Sequence, residues 1–496
     1  MTIRTVEQYL QSLRDNRVVY CKGERVKDVT THPIVKHGLR GPVGDFTVSL
    51  DPRYKDLITT KDDKGEPISF YFKPPLNVDD LMRRREITQT VMRMNGGGAK
   101  FAGIDALHAV TAASRRMDAD MGTSYAKRVE AFRDLCFKTD PAVCNAMTDV
   151  KGDRSLRPSK QQQHKDYYVR IVDETKNGIV VRGAKAHISV APYSNEMLVL
   201  PGRNMTEDDK DYAVAFAIPP NTKGISMIMP SPELIEEGGF LEHPFYSWFL
   251  ANDCIVIFDD VFVPNERVFM KREYLYAGAF TYMFANFHRL TADSYKPIEC
   301  ETLVGAAYLM AEYNGLLKAS HIIEKLAWLM WYAETITGLG LASVQNCIYD
   351  KVAQMAYPNP MFSNAAKFFF ADNYHQALKH VQDIGGGILV TCPSSEDFLS
   401  PQTHDFLEKY LGGKAGIPTE NRIKIIKLIR DLSGPFHMVT TIHAEGSLLA
   451  QKNSFYALGE WERYKTAAKK YAGIPMEEEE MHPSYRGLPD YRHLEI

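Results

Sequence analysis

The sequence predicts an α+β protein in which a mainly helical N-terminal domain, a middle antiparallel β domain and a C-terminal helical bundle follow one another. Three observations carry this prediction. Helical spacing of apolar residues dominates to about residue 145, short Val- and Ile-rich runs replace it over 146–275, and long helical patterns return over 276–474. The chain has 496 residues, which suits about three domains. At 45% hydrophobic and 24% charged it has the composition of an ordinary globular protein.

In the first zone, residues 1–145, Thr5 can cap a helix beginning VEQYLQSL. Asn77 can cap DDLMRRREITQTVMRM, where Asp79 and Asp80 favour the first turn. GIDALHAVTAASRRMDADMG and SYAKRVEAFRDLCFKTD read as two further helices. In the second zone DYYVRIVDE, GIVVRGAKAHISV, NEMLVLPG, YAVAFAIPP, GISMIMPS and CIVIFDDVFVP are strand-length and punctuated by Gly, Pro, Asn or Asp. Lys176-Asn177 before GIVVRG marks a hairpin turn. Period-2 alternation puts His187 and Ser189 on one strand face. In the third zone Leu303, Ala306, Ala307, Met310, Tyr313 and Leu317 recur at helical spacing, and further helices are expected over 318–355, 363–384, 404–414, 419–432 and 436–472. The tail, 475–496, carries the acidic run Glu477 to Glu480 and no apolar period.

Fifty-nine basic against 62 acidic residues give a net charge of −3, which is no footprint for nucleic acid. Seven cysteines, at 21, 136, 144, 254, 300, 347 and 392, form no CxxC pair and read as reduced thiols of a cytoplasmic protein. The polar start MTIRTVEQYLQSLRDNR lacks the apolar stretch of a signal peptide. Lys325 and Glu334 interrupt the most hydrophobic stretch, so no membrane span is expected.

Four features can carry chemistry, and each has a plainer reading. The stretch Ala146 to Ser155, which crosses from helix to sheet, could hold a ring edge and a phosphate, with Lys151 and Arg154 as cations; a polar turn with a charge pair is the alternative. Gly183 to Ser189 lets another group approach a strand closely, with His187 and Ser189 facing it. The clusters Gly96-Gly97-Gly98 and Gly385-Gly386-Gly387 could turn N–H groups toward a pyrophosphate, although helix C-termini use glycine too. Neither sits in a strand–GxGxxG–helix context, and no P-loop is present. His288, Tyr295 and Lys296 lie close together in FHRLTADSYKPIEC, and Asp253 lies in FLANDCIVIF. Together they offer acid, base and oxyanion donor. Only Cys300 and His288 suggest metal ligands there, too few for a site.

In order along the chain, AMTDVKGDRS, IVVRGAKAH, IVIFDDVFVPNERVF, FHR…YK, VGAAYLMAEYNG, QDIGGG and IHAEGSLLAQ resemble the 4-hydroxybutyryl-CoA dehydratase branch of a flavoprotein superfamily that also contains the 4-hydroxyphenylacetate 3-monooxygenases. The resemblance covers the chain to about Ile474. It implies an acyl-CoA dehydrogenase-like fold with a middle β-barrel, FAD in the cleft between the domains, and a homotetramer. FAD would contact Met147, Thr148, Asp149, Lys151, Arg154, His187 and Ser189, with Gly385, Gly386 and Gly387 at the pyrophosphate of a subunit. The dehydratases hold a [4Fe–4S] cluster on three cysteines and a histidine. Here the histidine corresponds to His288, while the cysteine places fall at about Gly97, Phe101 and Tyr295, which cannot ligate iron in the usual way. Asp253 stands at the place of a catalytic glutamate, Lys296 matches an active-site lysine, and Ala292 stands where a tyrosine is expected. The Arg, Tyr and His of the hydroxylases fall at about Phe101, Asp105 and Asn145. The resemblance therefore implies an FAD enzyme without a cluster, with His288, Lys296, Asp253 and Tyr295 as catalytic groups. A hydroxylase of a small aromatic acid or phenol, fed by a separate flavin reductase, is the leading expectation. A CoA-thioester lyase or vinylacetyl-CoA-type isomerase, or a non-catalytic flavin-binding subunit, are the alternatives.

Overall fold

The computed structural model describes residues 3–62, 64–98, 100–230, 239–247 and 253–488. The end of the acidic tail, 489–496, thus lies outside the described residues. Helices α1 (Val6–Ser12), α2 (Arg40–Leu50), α3 (Lys55–Ile58), α4 (Val78–Asn95), α5 (Lys100–Met121) and α6 (Tyr125–Thr139) open the chain. Thr5 accepts a hydrogen bond from the Gln8 N–H and Asn77 from the Asp80 N–H, so both expected caps form. Strands β1 (Val19–Cys21), β2 (Glu24–Arg25), β3 (Thr59–Lys61) and β4 (Pro67–Ser69) run between these helices, and β5 (Val143–Ala146) follows them.

The middle of the chain supplies β6 (Arg170–Thr175), β7 (Gly178–Ser189), β8 (Glu196–Val199), β9 (Val214–Ile218), β10 (Ile225–Met229), the short α7 (Gly239–Glu242), β11 (Asp253–Pro264) and β12 (Val268–Lys271). Thr175 pairs with Gly178, so Lys176 and Asn177 make the expected two-residue turn. The strands build a six-stranded sheet, β2-β1-β10-β11-β7-β6, and a four-stranded sheet, β12-β9-β8-β5. Phe216 of one sheet meets Phe258 of the other edge-on at 6.0 Å, and both sheets share one buried core.

The expected barrel is corrected here: neither sheet closes. Closure requires the first and last strands to pair, but β2 is a two-residue, exposed, charged edge and β6 is bulged between Ile171 and Asp173. Such short or irregular edges stop pairing. Two pairs are also parallel, β1 with β10 and β5 with β8, so the N-terminal segment feeds strands into both sheets.

The C-terminal half contains α8 (Ala277–Tyr313), α9 (Ser320–Gln345), the hairpin β13 (Ile348–Asp350) and β14 (Met355–Tyr357), α10 (Pro360–Gly385), α11 (Ile388–Thr391), α12 (Ser395–Leu399), α13 (His404–Tyr410) and α14 (Thr419–Leu432). The stretch expected as one helix, 436–472, is three: α15 (Pro435–His443), α16 (Leu448–Leu458) and α17 (Trp461–Ala472). Glu445 at φ 58° and Gly446 at φ 95° break the first junction; such left-handed residues cannot continue a right-handed helix. Among the described residues no helix is long and apolar enough to cross a membrane.

The long α8 organises the molecule. Its first turns, Phe280 to Phe287, bury into the core shared with α5 and the sheets, whereas Cys300 to Ala311 bury into the core of the C-terminal helices. The stretch between, 288–296, lies where the two cores meet and is filled by polar side chains.

Candidate functional site

The junction along α8 is built from polar groups that two apolar cores would otherwise exclude. His288 stacks on Phe284, ring centroids 4.8 Å apart. Its Nδ1 lies 2.9 Å from Oδ2 of Asp105, a fully buried carboxylate on α5. The Thr291 hydroxyl donates to Asp105 Oδ1 at 3.0 Å, and the Arg84 guanidinium from α4 pairs with the same oxygen. A carboxylate on Nδ1 fixes the proton there and leaves Nε2 as the basic nitrogen. Gly103 makes this placement feasible, because a Cβ there would stand 1.9 Å from the Val143 carbonyl of β5. Only glycine lets α5 lie this close to the four-stranded sheet.

Two turns further along α8, the Tyr295 hydroxyl donates to Glu445 Oε1. Lys296 Nζ donates to the Thr441 hydroxyl at 2.7 Å and to its carbonyl at 3.1 Å, and lies 3.4 Å from Glu299 Oε2. Lys296 and Lys367, the latter on α10, each stand 3.9 Å from Glu445 Oε2. Burial would raise the Glu445 carboxyl, but Lys296, Lys367 and His288 hold it below its ordinary value. Burial pushes Lys367 down to about 8 against the pull of Glu445. Burial, followed by Glu445, Glu299 and Asp253, drives the Tyr295 phenol well up.

The expected catalytic residues His288, Lys296, Tyr295 and Asp253 therefore fall in one electrostatic neighbourhood. Asp253 opens β11, pairs in register with Ser189 at the end of β7, and accepts a hydrogen bond from its hydroxyl. His187 and Ser189 are exposed on one face while Ile188 between them is buried, as the alternation predicts; His187 takes φ 58°. The Thr148 carbonyl accepts from the Ala186 N–H at 2.9 Å, and Asp149 bridges to Lys185, so β7 links the Met147–Asp149 stretch to Asp253. Met147 and Thr148 are half-buried. Asp149 is buried and bound to Lys185 Nζ at 2.6 Å, which makes it a brace of this stretch. Lys151 is half-buried at φ 77° and pushed down by burial and by Arg154, which is exposed.

The two glycine clusters differ. Gly96 ends α4 in a left-handed conformation, and a Cβ on Gly98 would stand 2.5 Å from Asp45 Oδ1, so this cluster packs against a buried carboxylate. Gly385 ends α10; Gly386 and Gly387 are exposed with open space where a Cβ would stand. Gly385 to Gly387 belong to the C-terminal helical body and are not brought to the Met147–Ser189 surface within one chain. Cys300, considered as a ligand, is buried in the apolar core.

Sequence reasoning missed Glu445, Lys367, Thr441 and Glu299 and gave Asp105 no role of its own. The motif IHAEGS pointed to Glu445, whose left-handed backbone aims it between α8 and α10. Nothing local marks Lys367, which looks like one more residue of a helix.

Known proteins resemble this chain in sequence and in architecture. The chain matches the family models described as 4-hydroxyphenylacetate 3-hydroxylase N terminal, over residues 5–270, and C terminal, over 277–473. It is 32% identical to a 4-hydroxybutyryl-CoA dehydratase/vinylacetyl-CoA-Δ-isomerase of Clostridium aminobutyricum, covering 95% of this chain and 100% of that protein. It is 30% identical to a 4-hydroxyphenylacetate 3-monooxygenase oxygenase component of Thermus thermophilus, covering 87% and 88%. Among solved structures it superposes on an oxygen-tolerant archaeal 4-hydroxybutyryl-CoA dehydratase from N. maritimus with a TM-score of 0.89 at 30% identity, covering 96% of each chain. An oxygenase component of 4-hydroxyphenylacetate 3-monooxygenase complexed with FAD gives 0.84 at 26% identity, covering 94% and 98%. With both halves matched in order and most of the chain covered, this protein belongs to the 4-hydroxyphenylacetate 3-hydroxylase family.

Proposed function

We propose that the chain is an FAD-dependent oxidoreductase without an iron–sulfur cluster, a hydroxylase that uses reduced flavin and oxygen on a small aromatic acid or phenol. The observation that carries this reading is the His288–Asp105–Arg84 array: a histidine with its tautomer set by a buried carboxylate, on the stretch of α8 where the two cores meet. A cluster does not fit. Gly97 and Phe101 offer no ligand and the Tyr295 hydroxyl is spent on Glu445, so His288 is left without the three cysteine partners a cluster needs. FAD fits better. Asn145 Oδ1, at the end of β5 before Met147, is buried with no hydrogen-bond partner, an acceptor that suits a ring N–H.

In this reading Met147, Thr148, Asp149, His187 and Ser189 hold the ring and ribityl chain, and Lys151 and Arg154 offer cations to the phosphates. Gly385 to Gly387 serve the pyrophosphate of a neighbouring copy in a homotetramer, which agrees with their separation from the other contacts in one chain. Reduced FAD, delivered by a separate flavin reductase, supplies the electrons for oxygen. His288 Nε2 takes the phenolic proton, and Asp105 steadies the imidazolium that results. Lys296 presents a cation to developing negative charge, Tyr295 holds Glu445 in place beside it, and Asp253 orients Ser189. Seven cysteines without a disulfide support a cytoplasmic location.

A second reading, a CoA-thioester lyase or double-bond isomerase, is favoured by the Lys296–Glu445–Lys367 cluster, a buried base held between two cations. Mixing the anaerobically reduced holoenzyme with oxygen and 4-hydroxyphenylacetate or a phenol panel tests the first reading: substrate-dependent hydroxylated product is expected. No product across the panel, with solvent deuterium entering a crotonyl- or vinylacetyl-type CoA ester, would replace it with the second.

A further inference from the structure

Helices α8 and α10 pack face to face and bring two lysines to one carboxylate. Lys296 and Lys367 are both buried, and each is tied to the end of α15, Lys296 through Thr441 and Lys367 through a 2.8 Å hydrogen bond to the Ile442 carbonyl. Their shares differ. Lys296 is divided between Glu299 and Glu445, and Glu299 also accepts from the Thr441 hydroxyl at 2.7 Å. Within 4 Å the only carboxylate of Lys367, among the described residues, is Glu445. Oε1 of Glu445 takes the Tyr295 hydroxyl, whereas Oε2 has no hydrogen-bond donor. Oε2 is therefore a buried acceptor held by charge alone, with room in its bonding for a proton.

We propose that Lys367 is a positioning residue: from α10 it keeps the buried Glu445 carboxylate ionised beside Tyr295, and so sets the acid limb of turnover. An isolated buried carboxylate would take up a proton. Every charged group around Glu445 bears on the balance. From α8, His288, Lys296 and Arg289 are cationic or can become so, Tyr295 donates, and Glu299 opposes ionisation. Asp293, a second buried carboxyl, is pushed well up by burial, and Glu445 adds to that rise. From α10, Lys367 faces it at 3.9 Å. Two lysines against Glu299 and Glu445 are balanced; removal of Lys367 leaves one lysine to serve two carboxylates.

The role in turnover rests on the function proposed above, but the ionisation of Glu445 does not. Lys367→Met is expected to raise the Glu445 carboxyl by about 1 to 3 pH units. Infrared spectroscopy on the FAD-loaded protein, with the Glu445 band assigned by its loss in Glu445→Gln, reads this directly. The pH at which the carboxylate band gives way to a protonated carboxyl band should move up in Lys367→Met and stay in place in Lys367→Arg. The acid limb of the pH–activity profile should move up by the same amount in Lys367→Met alone. An unmoved midpoint of that titration in Lys367→Met overturns the proposal. A shifted band with an unmoved activity profile keeps the ionisation and overturns the role in turnover. Should Lys367→Met fail to fold, Lys367→Met/Glu445→Gln removes both charges and is expected to fold; a double variant that also fails to fold, while Glu445→Gln alone folds, overturns the coupling.

Discussion

Replacing Lys185 by methionine tests the brace that fixes the Met147–Asp149 stretch. Lys185 Nζ, with the side chain 2% exposed, donates to Asp149 Oδ1 at 2.6 Å, to the Met147 carbonyl at 2.9 Å and to the Leu200 carbonyl at 2.8 Å. Methionine keeps the stem and loses the ammonium, so the change in apolar burial is small and the polar loss dominates. Three hydrogen bonds from a charged donor, at about 1.5–3 kcal/mol each, set an upper bound. Stranding one partner of a buried ion pair costs about 3–5 kcal/mol, which is the better guide because Asp149 escapes part of the penalty by taking up a proton. Burial already raises its carboxyl with Lys185 present. Gly202 leaves no slack, since a Cβ there would stand 2.7 Å from Asp149 Oδ2. We expect a loss of about 3–5 kcal/mol in the urea unfolding of the sheet core and at least about tenfold weaker FAD binding, equal to about 1.4 kcal/mol. Lys185→Met/Asp149→Asn should recover part of the stability by removing the stranded charge. An unfolding midpoint and FAD Kd equal to those of the parent protein would refute the brace.

Asp105→Asn should release the tautomer of His288 and lower hydroxylation about 10²- to 10⁴-fold while FAD stays bound; a change under about twofold, measured at saturating substrate, removes His288 from proton transfer. Glu242 supplies a pH test far from this site. Burial would raise its carboxyl, but Lys427, Arg430 and the Ser395 N–H bring it down to about 2. A carboxyl lowered in the folded state stabilises above its unfolded value and loses that contribution as pH falls through the folded one. The stability advantage of the parent over Glu242→Gln is therefore expected to be full above about pH 5 and to shrink between about 4.5 and 2, as read from urea midpoints; an advantage independent of pH contradicts the assignment.

Much of the fold was legible because its signals are local. Thr5 and Asn77 announce helices by capping, Lys176-Asn177 announces a hairpin, and the alternation at His187, Ile188 and Ser189 fixes a strand face. What was not legible depends on distant parts of the chain. No pattern near Val19 says that it will pair in parallel with Met227, and the edges that keep the sheets open are a matter of which strand finds no partner. The break at Glu445 and Gly446 escaped because apolar spacing continues through it. The site divides the same way. His288, Tyr295 and Lys296 share one helix and could be read together, whereas Asp105, Lys367 and Glu445 come from three other segments and gain meaning only when α5, α10 and the α15–α16 turn close on α8.

The most direct test of an iron-free flavin enzyme is the prosthetic content of the purified, FAD-reconstituted protein, taken from its visible spectrum together with iron and acid-labile sulfide assays. A yellow protein with stoichiometric FAD and neither iron nor sulfide is the expected result. A colourless chain that refuses FAD, or one that carries stoichiometric iron and sulfide, would contradict it.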